Sequence, residues 1–236
     1  MNKTIFLGDI HGRNIWKDII QNETPDRVVF IGDYFDSFDK ELTAAIQMQN
    51  FKDIIDFKET SGIEVIILVG NHDYHYYPGG ETYSGYQYGA APAIYQLLEE
   101  NKHHLQMCYQ IDNILCSHAG IGYNWLVNQC GYKEGNIADF INNMWQYQPA
   151  RFIFNGFNSY GDSKTQTPIW IRPRSLMSGN KNTFLKEQYI QIVGHTAVST
   201  IDMGKATGSR YYFIDRFDQS SEYLIYKDKV FSKDSI

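Results

Sequence analysis

Apolar residues in the first third of this chain fall into short runs that each stop abruptly at a glycine. Thr4-Ile5-Phe6-Leu7 stops at Gly8, Arg27-Val28-Val29-Phe30-Ile31 at Gly32, and Glu64-Val65-Ile66-Ile67-Leu68-Val69 at Gly70. Between the first two runs, Ile15, Trp16, Ile19 and Ile20 recur at helical spacing; between the second and third, Ala44, Ile46, Phe51, Ile54, Ile55 and Phe57 do so within residues 41–59. Unbroken apolar runs mark strands covered on both faces, and the 3.6-residue period marks amphipathic helices. Strand, helix, strand, helix, strand at this spacing predicts right-handed crossovers and a parallel sheet.

The same pattern predicts a helix over 90–102 carrying Ile94, Leu97 and Leu98, and two strands within 107–117 that turn at Asp112-Asn113. Helical segments follow near 121–129 and 136–147. A polar stretch over 155–168 reads as a surface loop, and after the apolar Ile169-Trp170-Ile171 comes a strand over 189–193. Short antiparallel strands are expected at 199–202, 211–214 and 223–226. No repeat of solenoid period and no compositional break interrupts the chain, so residues 1–236 are expected to form a single domain.

The polar residues that end the apolar runs are chemically alike. Asp9 and His11 follow the first, Asp33 the second and Asn71 the third; His118 and His195 end two later strands beside Ala or Gly. In open α/β sheets ligands gather at the carboxyl ends of strands. Carboxylates with imidazoles suit borderline divalent ions such as Mn, Fe or Zn, and the lack of thiolates argues against a closed structural zinc site. A glycine at each strand end is expected to let the chain turn sharply, so that the next side chain enters a shared cleft.

Composition narrows the function classes. A formal net charge of −6 over 236 residues argues against an extended nucleic-acid surface, which needs many phosphate-neutralising cations. No signal peptide and no run of membrane-spanning length is evident, and the three cysteines (Cys108, Cys116, Cys130) lack metal-type spacing, so the cytoplasm is the expected compartment. Tyr74, Tyr76, Tyr77, Tyr83, Tyr86 and Tyr88 crowd residues 74–89. They read either as ring packing that stabilises the loop or as a substrate-facing rim.

Gly8-Asp9-Ile10-His11-Gly12, Gly32-Asp33-Tyr34-Phe35-Asp36, Gly70-Asn71-His72-Asp73, Ser117-His118-Ala119-Gly120 and Gly194-His195-Thr196 stand in this order. Together they resemble the calcineurin-like metallophosphoesterase superfamily, nearest its bacterial and phage protein-phosphatase branch and the symmetrical dinucleoside-tetraphosphate hydrolases. The resemblance implies an α/β sandwich of two mixed β-sheets flanked by helices. It implies two divalent ions, manganese first, with Fe, Zn, Ni or Co as substitutes. Asp9 and His11 would hold the first, Asp33 would bridge, and Asn71, His118 and His195 would hold the second. A hydroxide between the ions would attack phosphorus, with His72 as general acid, oriented by Asp36. Arg172 is the candidate phosphate-binding arginine, with Arg174 and Arg13 competing.

Two departures bear on the substrate. Asp36 is followed by Ser37-Phe38 where eukaryotic-type protein phosphatases carry Arg-Gly, and Asp73 stands where they carry Glu. His75, His103 and His104 match no motif and read as surface or loop residues. The expected substrate is a phosphorylated molecule (phosphoprotein, nucleotide or small phosphoester), foremost a phosphomonoester. The alternatives are a nucleotide phosphodiesterase or dinucleoside polyphosphate hydrolase with the tyrosines stacking a base, and a non-catalytic scaffold. No membrane partner is expected.

Overall fold

The apolar runs pair as their pattern demands. In the computed structural model, which describes residues 3–155, 162–203 and 210–236, β1 (Thr4–Leu7), β2 (Arg27–Phe30) and β3 (Glu64–Leu68) lie parallel. Ile5 sits opposite Val28, and Val28 opposite Val65. The crossovers are α1 (Ile15–Glu23) and α2 (Ala44–Thr60). Thr43 caps α2 by accepting the Ile46 N–H at 3.5 Å, which starts the helix three residues later than the apolar pattern suggested.

The chain continues through a helical turn α3 (Asn71–Tyr74), α4 (Ala91–Glu100), β4 (Leu105–Gln106), β5 (Cys108–Ile111) and β6 (Ile114–Ser117). A π-helical turn over Asn124–Gln129, α5 (Ile137–Tyr147), α6 (Pro173–Gly179) and α7 (Phe184–Gln188) follow. The last strands are β7 (Ile190–Val193), β8 (Tyr211–Phe213), β9 (Tyr223–Lys227) and β10 (Val230–Asp234).

Two mixed sheets result. One has the order β10-β9-β1-β2-β3-β4, the other β5-β6-β7-β8. They pack face to face through Phe6, Val29, Ile31, Ile66 and Leu68 on one side and Ile114, Cys116, Ile192 and Tyr212 on the other. The alternate residues Ile5, Leu7, Val28, Phe30, Val65 and Ile67 face the helices with Trp16, Ile19, Phe51 and Ile54. Strands covered by a sheet on one face and helices on the other must be apolar at every position, hence the unbroken runs.

Several expectations fail for readable reasons. Residues 199–202 form no strand, although Ile201 is buried in the inter-sheet core. β8 runs parallel to β7 instead of antiparallel. Among the described residues β10 pairs with β9 alone, and it presents Val230 at 63% exposure, so it lacks an apolar run to announce it. Gln166 and Thr167, expected on a surface loop, are buried; Gln166 accepts the Asn155 N–H at 2.9 Å and Thr167 donates to the Phe152 carbonyl at 3.3 Å. Part of that loop lies outside the described residues. Among the described residues no helix is long and apolar enough to cross a membrane.

Candidate metal centre

The loops that follow β1, β2, β3, β6 and β7 converge. Ile10 and His11 both donate backbone N–H groups to the Asp33 carbonyl, at 3.0 and 2.7 Å, and Gly194 donates to the His118 carbonyl at 2.7 Å. His11, Asp33, Asp36 and His195 all have positive φ, at 42, 54, 64 and 63°. Non-glycine residues adopt this conformation at a cost, and they do so at functional sites when the surroundings over-determine them.

Glycine serves here mainly by lacking a side chain, not by turning sharply. A Cβ on Gly70 would lie 2.1 Å from Asp33 Oδ1, and one on Gly194 would lie 2.1 Å from Asp9 Oδ1. Of the glycines that end the first three runs and precede His195, Gly32 alone has positive φ, at 111°. At Gly70 and Gly194 a carboxylate from another strand's loop occupies the space a side chain would need.

Asp9, His11 and Asp33 bring one ligand atom each within 4.8 Å of one another. Asp33 Oδ2 lies 3.9 Å from His11 Nε2 and 3.3 Å from His118 Nε2, so it faces both halves of the site. Asn71 Oδ1 lies 2.9 Å from His118 Nε2 and 2.8 Å from His195 Nδ1. His118 Nδ1 meets the Ile31 carbonyl at 3.0 Å, and His195 Nε2 meets the Trp170 carbonyl at 3.1 Å.

These contacts test whether a cation fits. Each carbonyl fixes the proton on the nitrogen facing it, which leaves His118 Nε2 and His195 Nδ1 as lone pairs pointing at an amide oxygen. A flipped carboxamide would satisfy both rings with its NH₂. The orientation brings Asn71 Oδ1 and one nitrogen of each ring to a common point, an arrangement that suits a bound cation. Backbone carbonyls holding the far nitrogens of the rings are the usual support of a metal-binding histidine. The donor set fits a borderline divalent ion.

The electrostatics agree. Burial, with Asp215 and Asp33 close by, pushes Asp9 well above the usual carboxylate range. Burial opposes ionisation of Asp33, yet His118, His72 and His11 hold it well below that range. Burial, with Arg172 and His118 alongside, holds His195 well below the usual imidazole value. The cluster gathers buried carboxylates whose neighbours offset part of their charge, Asp33 by His118, His72 and His11 and the group as a whole by Arg172.

His72 stands beside this cluster. Its backbone N–H donates to Asp33 Oδ1 at 2.9 Å, its ring lies 5.4 Å from that of His11, and its Nδ1 meets Asp36 Oδ2 at 3.0 Å. Burial lowers its proton affinity, but Asp33 and Asp36 outweigh this and raise it. Arg172 donates Nη1 to the His195 carbonyl at 2.9 Å and to Thr196 Oγ1 at 3.0 Å. Arg13 is paired with Asp218, and Arg174 is exposed at the start of α6. Asp9, His11, Asp33, Asp36, Asn71, His72, His118, Arg172 and His195 thus meet in one cluster, and Arg13 and Arg174 stand outside it.

Three further residues contribute to the site without a role of their own in the motifs. The buried Asp73 carboxylate accepts N–H groups from Asp33, Tyr34 and Gly70, each at 2.8 Å, and so ties the loop after β2 to the loop after β3. Asp215, two residues past β8, acts electrostatically on Asp9; burial and Asp218 push its own pKa up to about 6. Its place after a strand was the available signal. His75 is buried, not on the surface, with Nε2 2.5 Å from Asp36 Oδ2. Asp36, His72 and His75 form a second group of metal-ligand types.

The family described as calcineurin-like phosphoesterase matches residues 3–215, and the chain belongs to it. No curated protein matches the sequence. A cold-active protein-tyrosine phosphatase of a psychrophilic Shewanella has a similar fold, with a TM-score of 0.62 at 16% identity, covering 100% of this chain and 80% of that one. A metallophosphoesterase from Sphaerobacter thermophilus gives a TM-score of 0.52 at 10% identity, covering 99% and 88%. The family, the fold and the paired Asp/His groups mark the chain as a metal-dependent phosphoester hydrolase.

Proposed function

We propose that this calcineurin-like phosphoesterase is a phosphomonoesterase of the protein-phosphatase type, acting in the cytoplasm as a single domain over residues 1–236. The observation that carries the reading is the set of lone pairs from Asn71, His118 and His195 facing one point beside Asp33, with His72 next to it. Asp9, His11 and Asp33 would hold one divalent ion; Asp33, Asn71, His118 and His195 would hold the other. The nitrogen-and-oxygen donor set suits manganese, with Fe, Zn, Ni or Co able to replace it. When bound, the two ions supply Lewis acidity toward phosphoryl oxygens and toward water.

The chain's own residues do the rest. Asp36 accepts from His72 Nδ1 and so fixes the tautomer, leaving Nε2 to carry the proton that the leaving alkoxide needs. Arg172 places a guanidinium beside Asp9, Asp33 and Asp215, where it offers planar donors to a phosphoryl group. The three cysteines are unpaired, in keeping with a reducing compartment. Tyr74, Tyr76 and Tyr77 are buried, which removes them from any base-stacking surface, while Tyr88 stays exposed. An intact His72 weighs against a scaffold.

The test is hydrolysis by metal-stripped protein with Mn²⁺ added back. p-Nitrophenyl phosphate, phosphotyrosine and phosphoserine peptides, bis-p-nitrophenyl phosphate and a dinucleoside tetraphosphate would be compared. Manganese-dependent turnover of the monoesters above the other two is the expected result. Preference for the diester or the dinucleotide would replace the phosphatase reading, and two bound metals with no turnover on any substrate would favour a scaffold.

A further inference from the structure

Asp36 is buried and carries more partners than orienting one imidazole requires. Its Oδ2 faces His72 Nδ1 at 3.0 Å and His75 Nε2 at 2.5 Å, the latter out of line for a hydrogen bond. Its Oδ1 accepts from the Tyr76 hydroxyl and, at 3.2 Å, from Gln87 Nε2. Gln87 also donates its backbone N–H to the Tyr76 oxygen at 3.1 Å and its carboxamide to Gln47 Oε1 at 2.8 Å. Gln47 Oε1 in turn accepts the Asp36 N–H at 2.8 Å.

The segment that supplies these groups is itself held in place. The Tyr76 ring stacks on Tyr86 at 4.8 Å and meets His75 edge-on at 4.6 Å. Gly85 passes so close that a Cβ there would lie 3.0 Å from Asp36 Cβ. Burial and the Asp36 charge raise the Tyr76 phenol far above neutrality, so it is always a donor. Asp36 has a φ of 64°, a conformation that persists only when its surroundings over-determine it.

We propose that residues 75–87 are the positioning element of the general acid. Tyr76 and Gln87, with Gln47 from α2, occupy Asp36 Oδ1 and the Asp36 N–H and so hold the carboxylate in one rotamer, and the carboxylate holds His72. Tyr76 and Gln87 act through Asp36; they are positioning residues. The inference rests on the hydrolase reading above and gives the tyrosine-rich segment its role. With both Oδ1 partners removed, the carboxylate is free to rotate and His72 to change tautomer.

The experiment uses Tyr76→Phe, Gln87→Leu and the double variant in the full chain. Leaving groups separate the outcomes, because p-nitrophenolate departs with little help from an acid and an alkoxide does not. Turnover of an alkyl phosphate is expected to fall on the order of 10-fold or more, as outer-shell substitutions typically do. Turnover of p-nitrophenyl phosphate, KM and the metal content should stay at wild-type values. A parallel loss on both substrates would overturn the proposal, since general destabilisation does not distinguish leaving groups. Nitrogen NMR of the His72 ring in zinc-loaded protein supplies a readout that needs no turnover. A single Nδ1–H tautomer that becomes a mixture in the double variant supports the proposal, and an unchanged tautomer refutes it. A wild-type protein inactive on every phosphoester would defeat the hydrolase reading while leaving this NMR test standing. A third bound metal per chain that is lost in His75→Gln would show the cluster to be a cation site, and the positioning role would fall.

Discussion

Gly194→Ala tests the claim that these glycines exist to make room for a neighbour's carboxylate. The methyl would enter 2.1 Å from Asp9 Oδ1 and 3.3 Å from both Asp9 Cγ and Ile31 Cγ2. Restoring ordinary contact, about 3.4 Å, moves that oxygen by roughly 1.3 Å. Asp9 would lose the His195 N–H, now 3.0 and 3.1 Å from its two oxygens. Overpacking of this kind typically costs about 1–3 kcal/mol. The variant should still fold, with a stability loss of about 1–3 kcal/mol in urea. Function should suffer far more, since a displacement of about 1 Å in a reacting constellation costs on the order of 100-fold. Urea titration, metal content by elemental analysis and turnover would be measured together. Gly89→Ala is the control: a Cβ there meets nothing within 4 Å, so stability and turnover should be unchanged or slightly improved. Gly194→Ala protein with wild-type turnover and both metals would refute the reasoning.

Other substitutions separate the remaining roles. His72→Ala should keep both metals and lose about 10²–10⁴-fold on alkyl phosphates; an unchanged rate would remove His72 from the acid role. Asp33→Asn should lose metal and with it activity, because Asp33 Oδ2 faces both His11 and His118, and full occupancy by elemental analysis would count against a bridging ligand. Far from the site, Tyr223 donates to Glu23 Oε1 at 2.6 Å. Burial opposes Glu23 ionisation, but Tyr223 and Lys3 lower its pKa below 4.5. The folded state thus favours the carboxylate, and that stabilisation is present above pH 4.5 and fades as acid protonates it. Tyr223→Phe should be less stable than wild type at pH 7, with the difference shrinking toward pH 3 in denaturant titrations.

The strand and helix order of the first half and the candidate ligand set are legible in the chain before it folds. Both signals are local. Strands β1, β2 and β3 have a sheet on one face and helices on the other, so after a polar first residue every position is apolar and the run is visible without its partners. A polar residue directly after such a run has one place to go, the open end of the sheet, and Asp9, Asp33, Asn71, His118 and His195 all obey that rule. The rest depends on residues far apart in sequence. The parallel pairing of β8 with β7 and the exposed strand β10 follow from neighbours that the chain supplies late. The need for Gly70 and Gly194 comes from Asp33 and Asp9, carboxylates 37 and 185 residues away that fill the space of an absent Cβ. The tyrosines of 74–88 looked alike in sequence, yet Tyr76 turns inward to hold Asp36 while Tyr88 stays exposed. Periodicity records which face of an element is covered; it cannot record which group covers it, because that pairing is set between residues far apart in the chain when it folds.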